Sequence, residues 1–275
     1  MKLARPQVFH PRIVLAGCPG RPAGDGDDAG LTGALRHRGL HARWLSWDDP
    51  DALGADLVIL RATRDYAERL VEFLAWTRGV KNLLNPPAVV AWNADRRYLG
   101  DLADHGVPMV PGELYALGER VRLPRTGHVF VGPAVGTGTR RCNVKAATAR
   151  VAELHNAGRS VVVQVSGAAT ETELVFIGGK PSHAFPPEPD FEIWEVGSNA
   201  LAAAAAQAGI DVGELLYARA HLVGDRLLEL QLIDPSLDWQ RLDAGARDLA
   251  QRAFAVAVES ALERLGLGPL SHRGP

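Results

Sequence analysis

Apolar residues along this 275-residue chain recur with two different rhythms, and the change between them divides the molecule. In the first third, continuous apolar runs at 13–16 and 57–60 and a strand-like stretch at 42–46 alternate with helical spacing at 29–38 and 66–78. Runs of that length read as buried strands, and strand–helix alternation implies crossovers, parallel pairing and an α/β sheet. Asn85-Pro-Pro-Ala88 opens a helical stretch over 87–105 that Gly106-Val-Pro108 closes. Beyond it the spacing predicts a Gly/Pro/Arg-rich connector (111–127), a strand at 129–131, a helix near 147–157 and a β-branched strand at 161–165. A hairpin pair follows at 173–177 and 181–185 around Gly178-Gly179, then a helix at 194–208, strands at 217–223 and 227–233, and a long helix at 244–265. Strands that succeed one another directly pair antiparallel, so the last two thirds read as α+β. The expected division is an α/β domain over 1–86, a central or lid subdomain over 87–165 and a C-terminal subdomain over 166–275.

The segment richest in chemistry is Leu227-Leu-Glu-Leu-Gln-Leu-Ile-Asp-Pro-Ser-Leu237. Leu228, Leu230 and Leu232 alternate with Glu229 and Gln231, which puts the apolar side chains on one face and the oxygen-bearing ones on the other. A carboxylate two residues from an amide, with Asp234 just beyond, offers the hard oxygen ligands that Mg²⁺ takes. The same alternation also describes an ordinary half-buried strand. The tight turn Val223-Gly-Asp-Arg226 joins this strand to Tyr217-Ala-Arg-Ala-His221. In a hairpin, Arg219 and His221 share a face and lie opposite Gln231 and Glu229, a polar cluster or else a solvent-facing hairpin.

Composition narrows the partners. A formal charge of −2 supplies no field that would gather nucleic acid or an anionic membrane, and no run of Lys and Arg resembles a basic arm. Two cysteines without CxxC spacing, Cys18 and Cys142, argue against a zinc site or a disulfide framework and suit a reducing cytoplasm. No segment has the length and apolarity of a signal or membrane span. Only four of the thirty basic residues are lysines, Lys2, Lys81, Lys145 and Lys180. The Gly-rich stretch at 17–28 follows the first strand but lacks GxGxxG, carries acidic residues and reads as a flexible loop. Gly136-Thr-Gly138-Thr139 is a better phosphate-covering loop, since small residues let backbone N–H groups approach oxygens, and Arg140 and Arg141 follow it.

Several stretches, in order, resemble ATP-grasp ligases, in particular the actinobacterial group related to the cyclo-ligase of D-cycloserine biosynthesis and, further off, glutathione synthetase. They include Leu60-Arg-Ala-Thr-Arg-Asp-Tyr66, Leu84-Asn-Pro-Pro-Ala-Val-Val-Ala-Trp-Asn-Ala-Asp-Arg-Arg-Tyr-Leu99, Val129-Phe-Val-Gly-Pro-Ala-Val135, Glu171-Thr-Glu-Leu-Val-Phe176, Ser182-His-Ala184, Tyr217-Ala-Arg219 and the 228–237 strand. The resemblance implies a glutathione-synthetase-like architecture in which ATP lies between two α+β subdomains and Mg²⁺ bridges its phosphates to acidic residues. It implies activation of a small-molecule carboxylate as an acyl phosphate that an amine-type nucleophile captures. Carried over residue by residue, it makes Arg219 catalytic, places Arg96, Gly136, Gly138, Thr139, Arg140 and Glu171 on the nucleotide, and assigns Glu229, Gln231 and His221 to metal.

The departures are as informative. Arg96 and Gly132 stand where the family has lysines, nothing basic follows Ser182-His-Ala184, and His221 replaces a metal-binding aspartate, with Gln231 and Asp234 where glutamates are usual. Two readings follow: a working ligase with altered cations, or a pseudoenzyme that keeps the fold and binds a small molecule or a protein. The alanine-rich helix and the C-terminal helix are the two candidate homodimer surfaces.

Overall fold

The computed structural model describes residues 10–166 and 169–268. Its first layer is a parallel sheet in the order β2-β1-β3-β4, made of β1 (Ile13–Gly17), β2 (Ala42–Ser46), β3 (Leu57–Ala62) and β4 (Leu83–Leu84). Its crossovers contain α1 (Leu31–His37), the short α2 (Pro50–Leu53) and α3 (Leu70–Gly79). All residues of β1 and β3 are buried, as their unbroken apolar runs require. The helical stretch predicted at 87–105 is two helices, α4 (Pro87–Asn93) and α5 (Tyr98–Asp104). Between them Asp95, Arg96 and Arg97 turn the chain, and Arg96 goes inward.

Two antiparallel sheets complete the molecule. The central one, order β5-β8-β6-β7, comprises β5 (Gly112–Tyr115), β6 (His128–Pro133), β7 (Arg140–Asn143) and β8 (Val161–Ser166), with α6 (Val144–Asn156) packed on it. The third, order β10-β9-β11-β12, comprises β9 (Glu171–Ile177), β10 (Lys180–Phe185), β11 (Tyr217–Val223) and β12 (Arg226–Gln231). Two of these strands, β5 and β7, fall where the sequence predicted only a connector and a loop. Both are short, and of their residues only Tyr115 is buried, so they carry no apolar alternation to read.

The third sheet is covered on both sides. One face packs on α7 (Phe191–Ala208) together with Val89, Tyr98 and Leu102 of the α4–α5 segment. The other packs on α8 (Ala244–Arg264), Trp239 and the first sheet. Helix α8 starts at Asp243, whose carboxylate accepts from the Ala246 N–H, and α6 starts in the same way at Asn143.

The acidic stretch predicted to be a flexible loop is instead part of the core. Asp27 and Asp28 are buried in a short 3₁₀ turn. Asp27 accepts from the Ser236 hydroxyl at 3.0 Å and from the Leu237 and Asp238 N–H groups at 2.8 and 3.2 Å. Asp28 accepts from Arg61 Nε at 2.8 Å. Buried carboxylates persist because each is matched to donors, and the sequence alone does not show which donors fold back onto them.

Candidate active-site cleft

Asparagine and tyrosine side chains fix the floor of the site. Asn85 bridges β11 and the residue after β12, donating to the Tyr217 and Leu232 carbonyls at 3.0 and 2.7 Å and accepting from the Leu216 N–H at 2.7 Å. Asn93 donates to Leu230 O at 2.9 Å and accepts from Leu232 N–H at 2.8 Å, and the Tyr98 hydroxyl accepts from Leu230 N–H at 3.0 Å. The α4–α5 turn is thus fastened along β12. Arg96, whose N–H donates to Ala134 O at 2.8 Å, is held between β12 and the end of the central sheet.

The hairpin has the register expected from the sequence: Arg219 pairs with Gln231 and His221 with Glu229. These four side chains line one cleft of 360 Å³, together with Arg64, Gly138, Thr139, Glu173 and Asp234. At one end, Arg96 Nη2 lies 2.6 Å from Glu229 Oε1, with both side chains nearly inaccessible. Gln231 Nε2 donates to the same oxygen at 3.1 Å, and Thr139 Oγ1 donates to Oε2 at 3.0 Å. Burial would raise the Glu229 pKa, but Arg96, Gln231 and Thr139 outweigh it and hold the carboxyl below its ordinary value.

At the other end, Arg219 Nη2 sits 2.5 Å from Glu173 Oε1 and 3.1 Å from Asp238 Oδ2. Arg241 reaches the second oxygen of Glu173 at 2.5 Å and lies over the Phe185 ring at 3.8 Å. Burial works to raise Glu173, and Arg219 and Arg241 overcome it, so its pKa is lowered. Between the two ends Asp234 is buried near Thr63, Arg64 and Arg61, and burial pushes its pKa up to about 7 against those groups.

The remaining predicted residues distribute differently. Glu171 takes His221 Nε2 at 3.1 Å and faces Arg141 at 3.7 Å. Gly136 and Gly138 adopt left-handed φ of +86° and +109°, which their loop requires. Arg140, expected on the nucleotide, is exposed on β7 and is not among the residues that line this cleft. Of the three residues that the resemblance assigns to metal, Glu229 is engaged by Arg96, Thr139 and Gln231, and His221 by Glu171; among the described residues no three His, Cys, Asp or Glu side chains form a group that could hold a metal ion. Glu173, Arg241 and Arg64 were missed. No local pattern marks them, since Glu173 and Arg241 are paired across the sheet and with the 234–241 segment, and Arg64 with Asp25 at 2.8 Å.

The nucleotide and Mg²⁺ implied by the resemblance would have to share this end of the cleft with the Arg96–Glu229 pair and the Thr139 hydroxyl. A Cβ at Gly132 would meet Thr139 Oγ1 at 2.7 Å and Thr139 Cα at 3.1 Å, so a side chain at 132 requires Thr139 to shift. Between the central and third sheets, Phe130, Val110, Val223 and Leu228 pack as one buried cluster, and Gln164 Nε2 donates across to Leu228 O at 2.9 Å.

Two antiparallel sheets behind a parallel α/β sheet, with charged residues converging on the β11–β12 hairpin, define an ATP-grasp protein, and the chain belongs to that superfamily. Within it, residues 13–85 match the family described as D-cycloserine synthetase DcsG, N-terminal domain. The chain is 30% identical over 277 residues to the cycloserine biosynthesis protein DcsG of Streptomyces lavendulae, covering 82% of this chain and 92% of that protein. The crystal structure of D-cycloserine synthetase DcsG superposes with a TM-score of 0.75 at 29% identity, over 91% of this chain and 99% of the other. D-alanine–D-alanine ligase from Bacillus anthracis, solved with ATP, shares the fold at a TM-score of 0.67 and 12% identity, over 94% and 98% of the two chains.

Proposed function

We propose that this chain, an ATP-grasp ligase relative, binds a small carboxylate-bearing molecule at the Arg219 end of its cleft and has given up metal–nucleotide chemistry at the Glu229 end. The observation that carries the reading is the ion pair of Arg96 with Glu229 at 2.6 Å. It places a tethered cation on the carboxylate that the resemblance assigns to metal. A divalent ion would have to displace that guanidinium and two hydrogen bonds, leaving a buried arginine unpaired, which typically costs several kcal/mol. Arg219 and Arg64 line the other end, where they are matched by Glu173, Asp238 and Asp25, and a guanidinium fork there suits a carboxylate that exchanges for one of these partners. The setting is cytoplasmic, and no helix among the described residues is long and apolar enough to cross a membrane.

A working ligase is the second reading, favoured by one fact: Arg96, at a lysine position of the superfamily, does reach the Glu229 end of the site. Thermal unfolding and phosphate release with ATP, with and without Mg²⁺, separate the two. The binding reading expects no Mg²⁺-dependent rise in Tm at about 5 mM nucleotide, and a rise with small carboxylic acids that Arg219→Lys diminishes. A Mg²⁺-dependent rise that Glu229→Ala removes, or phosphate release from ATP, would establish the ligase.

A further inference from the structure

The open edge of the third sheet is flanked by a groove and by a knob. Strand β10 is the edge strand, and its opposite number β12 is already covered, because Val110 N–H donates to Leu227 O and Leu227 N–H to Pro108 O, both at 2.8 Å. Beside β10 runs a groove of 650 Å³. Its wall on α8 is built from Ala246, Ala250, Ala253 and Ala257, whose spacing of four, three and four keeps small side chains along one helix face. Leu249 and Val256 border it and are 71% and 43% exposed. Two cations stand in its lining, Lys180 and Arg264. Among the described residues neither makes an ion pair, and Arg264 is bonded only to the Gly213 carbonyl, at 3.2 Å.

Six residues past the end of β10, Phe191 opens helix α7 and is 72% exposed, although it is the bulkiest apolar side chain on that surface. Acids surround it in sequence: Glu188, Asp190, Glu192 and Glu195 are all exposed, and none is in an ion pair among the described residues. An exposed aromatic within unpaired acids and an apolar groove rimmed by unpaired cations are complementary in charge and apolarity; the groove lies beside β10, and Phe191 follows the end of that strand by six residues.

We propose that the occupant of the groove is a second copy of this chain. In a twofold dimer, Phe191 of each copy enters the α8 groove of the other, with its flanking acids against Lys180 and Arg264. Self-complementary placement at one edge closes the assembly at two copies and covers β10, the open edge of the third sheet. The inference is independent of the ligand-binding reading, because no residue in it lines the cleft.

Sedimentation of the full chain across concentration tests it. Dimer is expected in the micromolar range, weakening as salt rises, and Phe191→Asp is expected to weaken it about tenfold or more while leaving Tm extrapolated to monomer unchanged. Lys180→Glu and Glu192→Lys should each weaken self-association, whereas an equimolar mixture of the two variants should form a heterodimer. A monomer at about 200 µM, a dimer indifferent to all three substitutions, or an open series of larger species would overturn the proposal.

Discussion

Among the described residues two arginines are buried against carboxylates, and they are finished differently. Arg61 gives Nε to Asp28 at 2.8 Å and Nη1 to Pro235 O at 3.1 Å, and its guanidinium lies between the rings of Tyr217 and Trp239 at 5.3 and 5.8 Å. Arg96 is as deeply buried and sits 2.6 Å from Glu229, but its Nε and Nη1 have no hydrogen-bond partner. Arg61 ties the first sheet to the segment behind β12 and faces no opening. Arg96 lines the space beneath the 136–139 loop, which is large enough for about one water. A guanidinium held by a carboxylate, a backbone carbonyl and two rings serves the fold, even though Asp28 Oδ2 has no hydrogen-bond partner. One with unused donors beside a cleft is where a ligand or a rearrangement can be accommodated.

That contrast is broken most severely by deleting each arginine. Arg61→Ala leaves Asp28 buried without its guanidinium partner, where burial drives it toward the protonated form, and removes a backbone bond and two ring contacts, so urea unfolding should show a loss of about 3–5 kcal/mol. Arg96→Ala should cost less, roughly 2–3 kcal/mol, because Glu229 keeps Thr139 and Gln231 and opens toward solvent. The Arg96→Ala variant should also gain a Tm rise with millimolar Mn²⁺ that the natural chain lacks, since it releases Glu229 and removes the competing cation. Equal costs, or no gain with Mn²⁺, would mean that both pairs are structural.

Asp234 lies between the two arginines and sharpens the comparison through pH. Its folded pKa, about 7, is above its unfolded value of 3.8. Between those values the unfolded chain has released a proton that the folded chain keeps, so this group lowers stability progressively as pH rises from about 4 to 7, and the penalty is complete above 7. Glu229 and Glu173, both lowered, act in the opposite sense: the stability they contribute is present above their unfolded values and is lost as pH falls through their folded ones. Asp234→Asn should therefore gain on the natural chain by roughly 2–3 kcal/mol between pH 5 and pH 8, measured by denaturant unfolding at each pH. A flat difference would show that Asp234 is ionised in the folded protein and already paired.

The layers and the hairpin were legible in the sequence because apolar period reports burial directly. Leu228, Leu230 and Leu232 are all at most 1% exposed, opposite a face that carries Gln231 and Glu229. The partners of the charged residues were not legible. Nothing local to Glu229 says that it meets Arg96 across the α4–α5 turn, or that Asp27, read as part of a loose loop, caps the backbone at 237 and 238. Those contacts join segments more than a hundred residues apart. A strand as short and exposed as β7 also leaves no pattern, which is why Arg140 was expected in the cleft and is found outside it.

The smallest predicted effect concerns Thr139, which links the missing lysine to the neutralised carboxylate. Thr139→Ala removes one hydrogen bond to Glu229 and should cost about 1 kcal/mol. Gly132→Ala should cost more in the natural chain, because the new Cβ would meet Thr139 Oγ1 at 2.7 Å. In a Thr139→Ala background the hydroxyl is gone and the 3.1 Å and 3.3 Å approaches to Cα and Cβ remain, so the cost of Gly132→Ala should fall by a measurable part of a kcal/mol. A double-mutant cycle by thermal or urea unfolding reads this coupling. If it is favourable, the glycine at 132 and the inward position of Thr139 are one structural change, in which the loop has moved into the space where ATP-grasp ligases carry a lysine. Additive costs would make them separate, and would leave the loop free to move aside for a ligand without any change at Gly132.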